Sequence, residues 1–431
     1  MLTRMESIIV RGGQRLVGEV RVEGAKNSAL KLMAASLLAE GTSHISNVPD
    51  IADVDIMTEV LEHLGARVVR HDHALSIDAS SLTGIETPYE LVAKMRASIA
   101  VLGPLVARFG EARVAMPGGC NIGSRKIDMH IRGLEHLGVT VTLGHGYIHA
   151  QAPSNGLHSA DVTLEFPSVG ATENLLMAAV LASGTTTIEN AAREPEIEDL
   201  VRFLVSMGAR ISGEGSPTLV VEGVDKLHPA SHRVVGDRIE AGTLLVAGAL
   251  CGGRVTVTGF DPTHLGLVIA KLREAGCSVE VVADGATIEL HGRPHPVDIQ
   301  TLPYPGFPTD MQAQLMTLLA LADGASVITE NVFENRFMFA DELARMGADV
   351  RSEGHHALVS GVTGLSGAPV RSTDLRGGAA LVLAGLAAEG RTVIGDVYHI
   401  DRGDERFVEK LAALGGDVTR ETTLPDAPTD F

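Results

Sequence analysis

Three cysteines in 431 residues are too few for a disulfide framework, and at positions 120, 251 and 277 they are too scattered for a zinc site. A reducing compartment is expected. Positive charge is scarce too: 35 Lys and Arg stand against 54 Asp and Glu, a formal net charge of −19. That balance excludes a general nucleic-acid or membrane-surface binder, so any anionic ligand must meet a local cluster of Arg and Lys. No apolar run reaches the length of a membrane span, and the opening MLTRMESIIV lacks the apolar core of a signal peptide. A cytoplasmic enzyme or binding protein is therefore the expectation. The histidine pairs His71 with His73 and His355 with His356 lack the companion ligands of a metal site and read as surface histidines. Neither a metal nor a cofactor is expected.

What the chain has instead is repetition. A helix ending in a signature like LGARV recurs at Leu64 to Val68, Leu137 to Val141, Met207 to Ile211, Ala275 to Val279, Met346 to Val350 and Leu414 to Val418. The period is roughly 70 residues, so six units fill the chain. Each reads helix, strand, helix, strand. The first helices are apolar almost all round, as in LLMAAVLA from Leu175 to Ala182, which predicts burial on every side. The second helices are amphipathic and should lie outside, each closed by a glycine in the left-handed C-cap conformation. Between the two helices a β-rich run begins at Gly41, Gly110, Gly184, Gly253, Gly324 and Gly390. Six repeats divide into two groups of three, with the break near the polar stretch His228 to Arg238 and a cleft between two facing domains.

Functional residues are sought where the copies disagree. Cys251 and Cys277 lie in apolar helical context and read as small core residues. Cys120 stands in PGGCNIGSRKID, Pro117 to Asp128, a glycine-rich basic connection where the other units begin their outer helix. A buried structural thiol is the plain alternative there. The flexible loop, with Arg125 and Lys126 close by, instead favours an exposed, acidified, reactive thiol. Gly118 to Gly123 has the spacing of a phosphate-binding loop, but Ser124-Arg125 stands where Gly-Lys-Ser/Thr would have to continue.

The starts of the six first helices carry Lys26-Asn27, Arg96, Ser168-Val169-Gly170, Asp237-Arg238, Thr309-Asp310 and Asp374-Leu375-Arg376. Singly, each has a structural explanation: Thr309 with Gln312 forms a capping box, and Ser168 is a good N-cap. Together they put cations, free amides and carboxylates on a shared rim, and free amides at a helix start bind anions. The connections before the second helices add Asn190 to Glu194, Asn331 to Arg336 and His399 to Arg402. Several arginines on one rim imply a ligand with several anionic groups, because the guanidinium fork fits carboxylate and phosphate.

On these residues the chain resembles the enolpyruvyl transferases. The matching segments are GAKNSALKLMAASLLAEGT (Gly24 to Thr42), MRASIAVLGPLVARFG (Met95 to Gly110), PGGCNIGSR (Pro117 to Arg125), SVGATEN (Ser168 to Asn174), NAAREPEI (Asn190 to Ile197), FPTDMQAQ (Phe307 to Gln314), ENVFENRFM (Glu330 to Met338) and HIDRG (His399 to Gly403). The resemblance spans nearly the whole chain. It implies an α/β fold, a two-domain inverted α/β prism of six βαβαββ-type repeats, three per domain. Residues 1–25 with 236–431 would form one prism, completed by the N-terminal strands, and residues 26–235 the other. It also implies transfer of the enolpyruvyl group of phosphoenolpyruvate to UDP-N-acetylglucosamine with release of phosphate, the first committed step of peptidoglycan precursor synthesis.

The residue roles are likewise what the resemblance implies. Cys120 is the general acid and Asp310 the candidate base. Lys26, Asn27, Arg125 and Arg402 hold phosphoenolpyruvate. Arg96, Arg125, Lys126, Ile127, Asp128, Met129, Phe166, Pro167, Ser168, Val169, Gly170, Asp310 and Val332 surround the nucleotide sugar. Asp374, Arg376 and Arg336 support them. Three positions depart from the family's pattern: Lys126 stands for a usual proline, Ala52 for a basic residue and Asp404 for an aromatic. Two other readings stand beside this one: a paralogue using a different nucleotide sugar, and a non-catalytic UDP-sugar-binding regulator. The shikimate-pathway enzyme lacks the cysteine loop.

Overall fold

The computed structural model describes residues 5–118, 122 and 127–423. It divides into two compact units: residues 1–23, 121–125 and 236–431 form one, and residues 24–120 and 126–235 the other. Each has its own apolar core. One is built from residues between Ile8 and Val418 that skip the second unit, the other from residues between Ala29 and Val234.

The first helix of each repeat is buried along nearly its whole length. In the second unit these inner helices are Lys26–Ala35, Leu102–Phe109 and Val169–Ala179; in the first unit they are Arg238–Leu250, Gln312–Leu319 and Leu375–Ala387. Two are entered through 3₁₀ turns, Arg96–Val101 and Thr309–Met311. Close approach is built into the sequence: a Cβ on Gly103 would stand 2.4 Å from the carbonyl oxygen of Asn174, so only glycine lets the two helices meet there. The outer helices are Ala52–His63, Asp128–His136, Pro195–Ser206, Gly266–Glu274, Phe339–Arg345 and Phe407–Ala413. All six closing glycines, Gly65, Gly138, Gly208, Gly276, Gly347 and Gly415, have φ between 91° and 102°, the left-handed caps the repeat predicts.

The repeat holds one more strand than periodicity suggested. After five of the six outer helices the chain runs up one strand and back down a second, as in Arg67–His71 against Ala74–Asp78 and Thr140–Gly144 against Tyr147–Gln151. Turns such as His145-Gly146, both at positive φ, carry no Asn-Gly signal and hide in the sequence. In those five repeats the strand after the inner helix pairs antiparallel with that returning strand, as Thr42–Ser46 does with Ala74–Asp78, placing Ile45 opposite Leu75. A parallel edge strand completes the sheet: Ser231–Arg233 lies beside Thr42–Ser46.

In the first unit the N-terminal residues supply missing strands. Met5–Arg11 lies antiparallel between Arg391–Gly395 and Asp417–Thr423, with Ile9 opposite both Val393 and Thr419. Gly18–Arg21 runs parallel to Arg254–Thr258. Three sheets around three mutually packed inner helices make each unit an α/β prism of three repeats. Among the described residues no helix is long and apolar enough to cross a membrane.

Candidate functional site

The inner helices of the second unit start at Lys26, Arg96 and Val169 and those of the first at Arg238, Thr309 and Leu375, among polar residues singled out above. In the second unit, Lys26 opens its helix with no side-chain cap and pairs through Nζ with Asp53 Oδ2 at 2.8 Å. Asp53 lies in the first turn of the outer helix that begins at Ala52, and both side chains are buried. Asn27 follows, half-buried. Ser28 then ties the helix start to a buried carboxylate. Its hydroxyl donates to Asp199 Oδ2, which also accepts the Val235 amide, while Asp199 Oδ1 meets His232 Nε2 at 2.8 Å.

Arg96 begins the second helix start, where burial lowers the pKa of its guanidinium. Ser168 caps the third, its hydroxyl accepting the Ala171 amide. Phe166 is exposed beside half-buried Pro167, Val169 and Gly170. Ile127 is buried and Asp128 and Met129 half-buried at the head of the Asp128–His136 helix. Deeper in, Lys31 pairs with fully buried Glu173 at 3.0 Å. Burial pushes that carboxyl up to about 7 against the pull of Lys31.

The first unit carries a chain of buried charges. Asp310 sits in the Thr309–Met311 turn, where its Oδ1 accepts Arg336 Nη2 at 2.7 Å and its Oδ2 accepts Arg376 Nη2 at 3.2 Å. Arg376 is 2% exposed and continues to Asp404 at 3.4 Å. The departure at Asp404 thus acquires a structural reason: a buried carboxylate there is a counter-ion for Arg376. Asp374 and Asp237 cap their helices, each accepting two backbone amides through Oδ1. Behind Asp237, burial pushes the Glu240 carboxyl up to about 8 despite its ion pair with Lys410. Arg238 lies over the Tyr304 ring at 5.5 Å. Arg402 is buried at the end of the Tyr398–Asp401 turn.

One local expectation fails. Thr309 and Gln312 form no capping box; Pro308 occupies the cap position, and the Thr309 hydroxyl donates to Glu330 Oε2 while accepting from Arg336 Nη1. Glu330, absent from the candidate residues, also fixes the Val332 and Phe333 amides through Oε1. It thereby organises the connection that holds Val332 and Arg336. Asp53, Asp199 and Glu173 are other buried carboxylates that sequence reading missed; Glu173 lies within a quoted motif, Asp199 just past one, and Asp53 next to the departing Ala52.

Cys120, Arg125 and Lys126 lie outside the described residues. Ile122, within the same loop, is buried in the first unit, and its carbonyl accepts the Asn335 amide at 3.1 Å. Cys251 ends the Arg238–Leu250 helix half-buried, whereas Cys277 is buried in the turn after an outer helix rather than within one. Burial pushes both thiols up to about 12. Among the described residues no group of His, Cys, Asp or Glu side chains is arranged to hold a metal ion.

Each unit thus sets inner-helix starts rich in charged and polar side chains on a prism of three repeats. Residues 10–411 match the family of EPSP synthase (3-phosphoshikimate 1-carboxyvinyltransferase), and the chain belongs to that family. Within it, the chain is 54% identical to the UDP-N-acetylglucosamine 1-carboxyvinyltransferase of Mycolicibacterium paratuberculosis, over 96% of this chain and 99% of that one. It is 55% identical to the protein of the same name from Nocardia farcinica, over 96% and 98%. Among solved structures, the enolpyruvyl transferase NikO from Streptomyces tendae superposes with a TM-score of 0.87 at 29% identity, covering 98% of this chain and all of that one. EPSP synthase from Acinetobacter baumannii shares the fold, with a TM-score of 0.75 at 20% identity over 97% of this chain and all of its own.

Proposed function

We propose that this chain transfers the enolpyruvyl group of phosphoenolpyruvate to UDP-N-acetylglucosamine with release of phosphate, as a cytoplasmic enzyme of the first committed step of peptidoglycan precursor synthesis. The observation that carries the reading is the full-length match, above half identity, to transferases of that name.

The chemistry assigns work to the residue types. A proton adds to the methylene carbon of phosphoenolpyruvate, and the sugar hydroxyl oxygen bonds to the neighbouring carbon as it loses its own proton. The methyl group then gives up a proton as the C–O bond to phosphate breaks, leaving the enolpyruvyl ether. Cys120 is the proton donor. Lys26, Asn27, Arg125 and Arg402 hold the phosphate and carboxylate of phosphoenolpyruvate as charge shifts between them. Asp310 accepts the hydroxyl proton. Two guanidiniums aim its carboxylate, Arg336 at Oδ1 and Arg376 at Oδ2. Arg336, Arg376 and Asp374 support that geometry. Arg96, Lys126 to Met129, Phe166 to Gly170 and Val332 take the nucleotide sugar. Phosphate release measured with a panel of UDP-sugars tests the reading; activity with a sugar other than N-acetylglucosamine alone would transfer the assignment to a paralogous reaction.

A further inference from the structure

The guanidinium of Arg376 is spanned by two carboxylates, and one of them, Asp404, has no part in the chemistry assigned above. Nε and Nη2 donate to Asp310 Oδ2 at 3.3 and 3.2 Å, and Nη1 donates to Asp404 Oδ1 at 3.4 Å. The second pair is shut off from water, with side-chain exposures of 2% for Arg376 and 1% for Asp404. Burial works against the charge of Arg376, and Asp310, Asp404 and Asp237 outweigh it and raise the pKa. Arg336 holds the other oxygen of Asp310 at 2.7 Å, so four charges alternate in sign from Arg336 through Asp310 and Arg376 to Asp404. Asp310 is the partly exposed member, and Asp404 closes the inner end.

The backbone carries the same link. Asp404 lies just past the Tyr398–Asp401 turn, where its amide donates to the Ile400 carbonyl at 3.3 Å. A Cβ on Gly403 would collide with the Leu375 side chain, and one on Gly378 would stand 2.8 Å from Ile400 Cγ1. Residues 400–404 are thus seated on the start of the Leu375–Ala387 helix, whose second residue is Arg376. Packing alone does not call for a charge at position 404, because asparagine has the same shape and a buried carboxylate carries a desolvation penalty. What the charge supplies is a second grip. Held by Asp310 alone, Arg376 could pivot about that contact and take the carboxylate with it; gripped at Nη1 as well, it cannot.

We propose that Asp404 is a positioning residue: acting through Arg376, it fixes the orientation of the Asp310 carboxylate and anchors it to the segment 400–404. The inference rests on the transferase reading above, in which Asp310 takes the hydroxyl proton.

Two variants of the full chain, Asp404→Asn and Asp404→Ala, separate charge from packing in the phosphate-release assay. Both should lose about 10-fold or more in kcat, since misplacing a reacting group by about 1 Å costs about 10²-fold, while KM for UDP-N-acetylglucosamine stays within about 3-fold. Asp404→Asn with kcat within about 3-fold of wild type would make the residue a packing element and overturn the proposal, as would a rise in that KM with kcat unchanged. Urea unfolding gives an independent readout. Asp310→Asn and Asp404→Asn each leave Arg376 one of its two carboxylates, and the double variant leaves neither. The double variant should therefore lose about 3-fold or more in the folding equilibrium constant beyond the product of the single losses, and a smaller excess would mean that the guanidinium is not shared. Should Asp404→Asn fail to fold, guanidinium ¹⁵N spectra of the Asp310→Asn protein decide: an Arg376 side chain still rigid, with slowly exchanging Nη protons, supports the double grip, and a freely rotating one overturns it. A wild type that releases no phosphate overturns the transferase reading, whereas the unfolding cycle tests the grip without it, so the two failures are told apart.

Discussion

Asp310→Asn separates structure from chemistry within the chain of buried charges. The carboxamide keeps the shape and removes the charge that two guanidiniums share, at 2.7 Å from Arg336 and 3.2 Å from Arg376. Charges about 3 Å apart attract by about 5 kcal/mol at an effective dielectric near 20, and desolvation offsets much of that. Removing one partner of a fully buried pair costs about 3–5 kcal/mol. Asp310 is 24% exposed and Arg376 retains Asp404, so the expected loss falls lower, at about 2–3 kcal/mol. For a unit of this size that is a drop of roughly 4–12 °C in Tm. If Asp310 also takes the hydroxyl proton, kcat falls by about 10²- to 10⁴-fold while the protein remains folded at assay temperature. Thermal unfolding and phosphate release, measured on one preparation, give both numbers. A Tm within about 1 °C of wild type would refute the ion-pair account, and a kcat within about 3-fold would refute the role as base.

Two further outcomes follow from buried titratable groups. The Glu173 carboxyl, at about 7 when folded against an ordinary 4.5, binds an extra proton in the native state across that window, so its contribution to stability falls as pH rises from about 4.5 to 7. Glu173→Gln should flatten that part of the profile by up to about 1.4 kcal/mol per pH unit in urea unfolding, and an unchanged slope between pH 5 and 7 would contradict it. Iodoacetamide at neutral pH should spare Cys251 and Cys277, whose thiols lie near 12, and modify Cys120 first, more slowly with phosphoenolpyruvate present. Mass spectrometry finding the first label on Cys251 or Cys277 would contradict that.

Much of the architecture was legible because each repeat ends in a glycine whose backbone no other residue adopts cheaply, from Gly65 to Gly415. The inner helices announced themselves by having no polar face. The returning strand of each hairpin did not, since its turns, such as Asp72-His73, look like ordinary surface sequence. Helix starts were equally readable, and Ser168, Asp237 and Asp374 do cap their helices. Partners distant in sequence were not. Arg376 meets Asp310 across 66 residues and Ser28 meets Asp199 across 171, and only the stacking of repeats brings them together.

The central claim is the transfer reaction, and its most direct measurement is phosphate release from phosphoenolpyruvate by the purified chain with and without UDP-N-acetylglucosamine. The account predicts release that requires both substrates, with an enolpyruvyl ether of the nucleotide sugar formed in equal amount and both lost in Cys120→Ala. Tight binding of the nucleotide sugar with no phosphate released would contradict it.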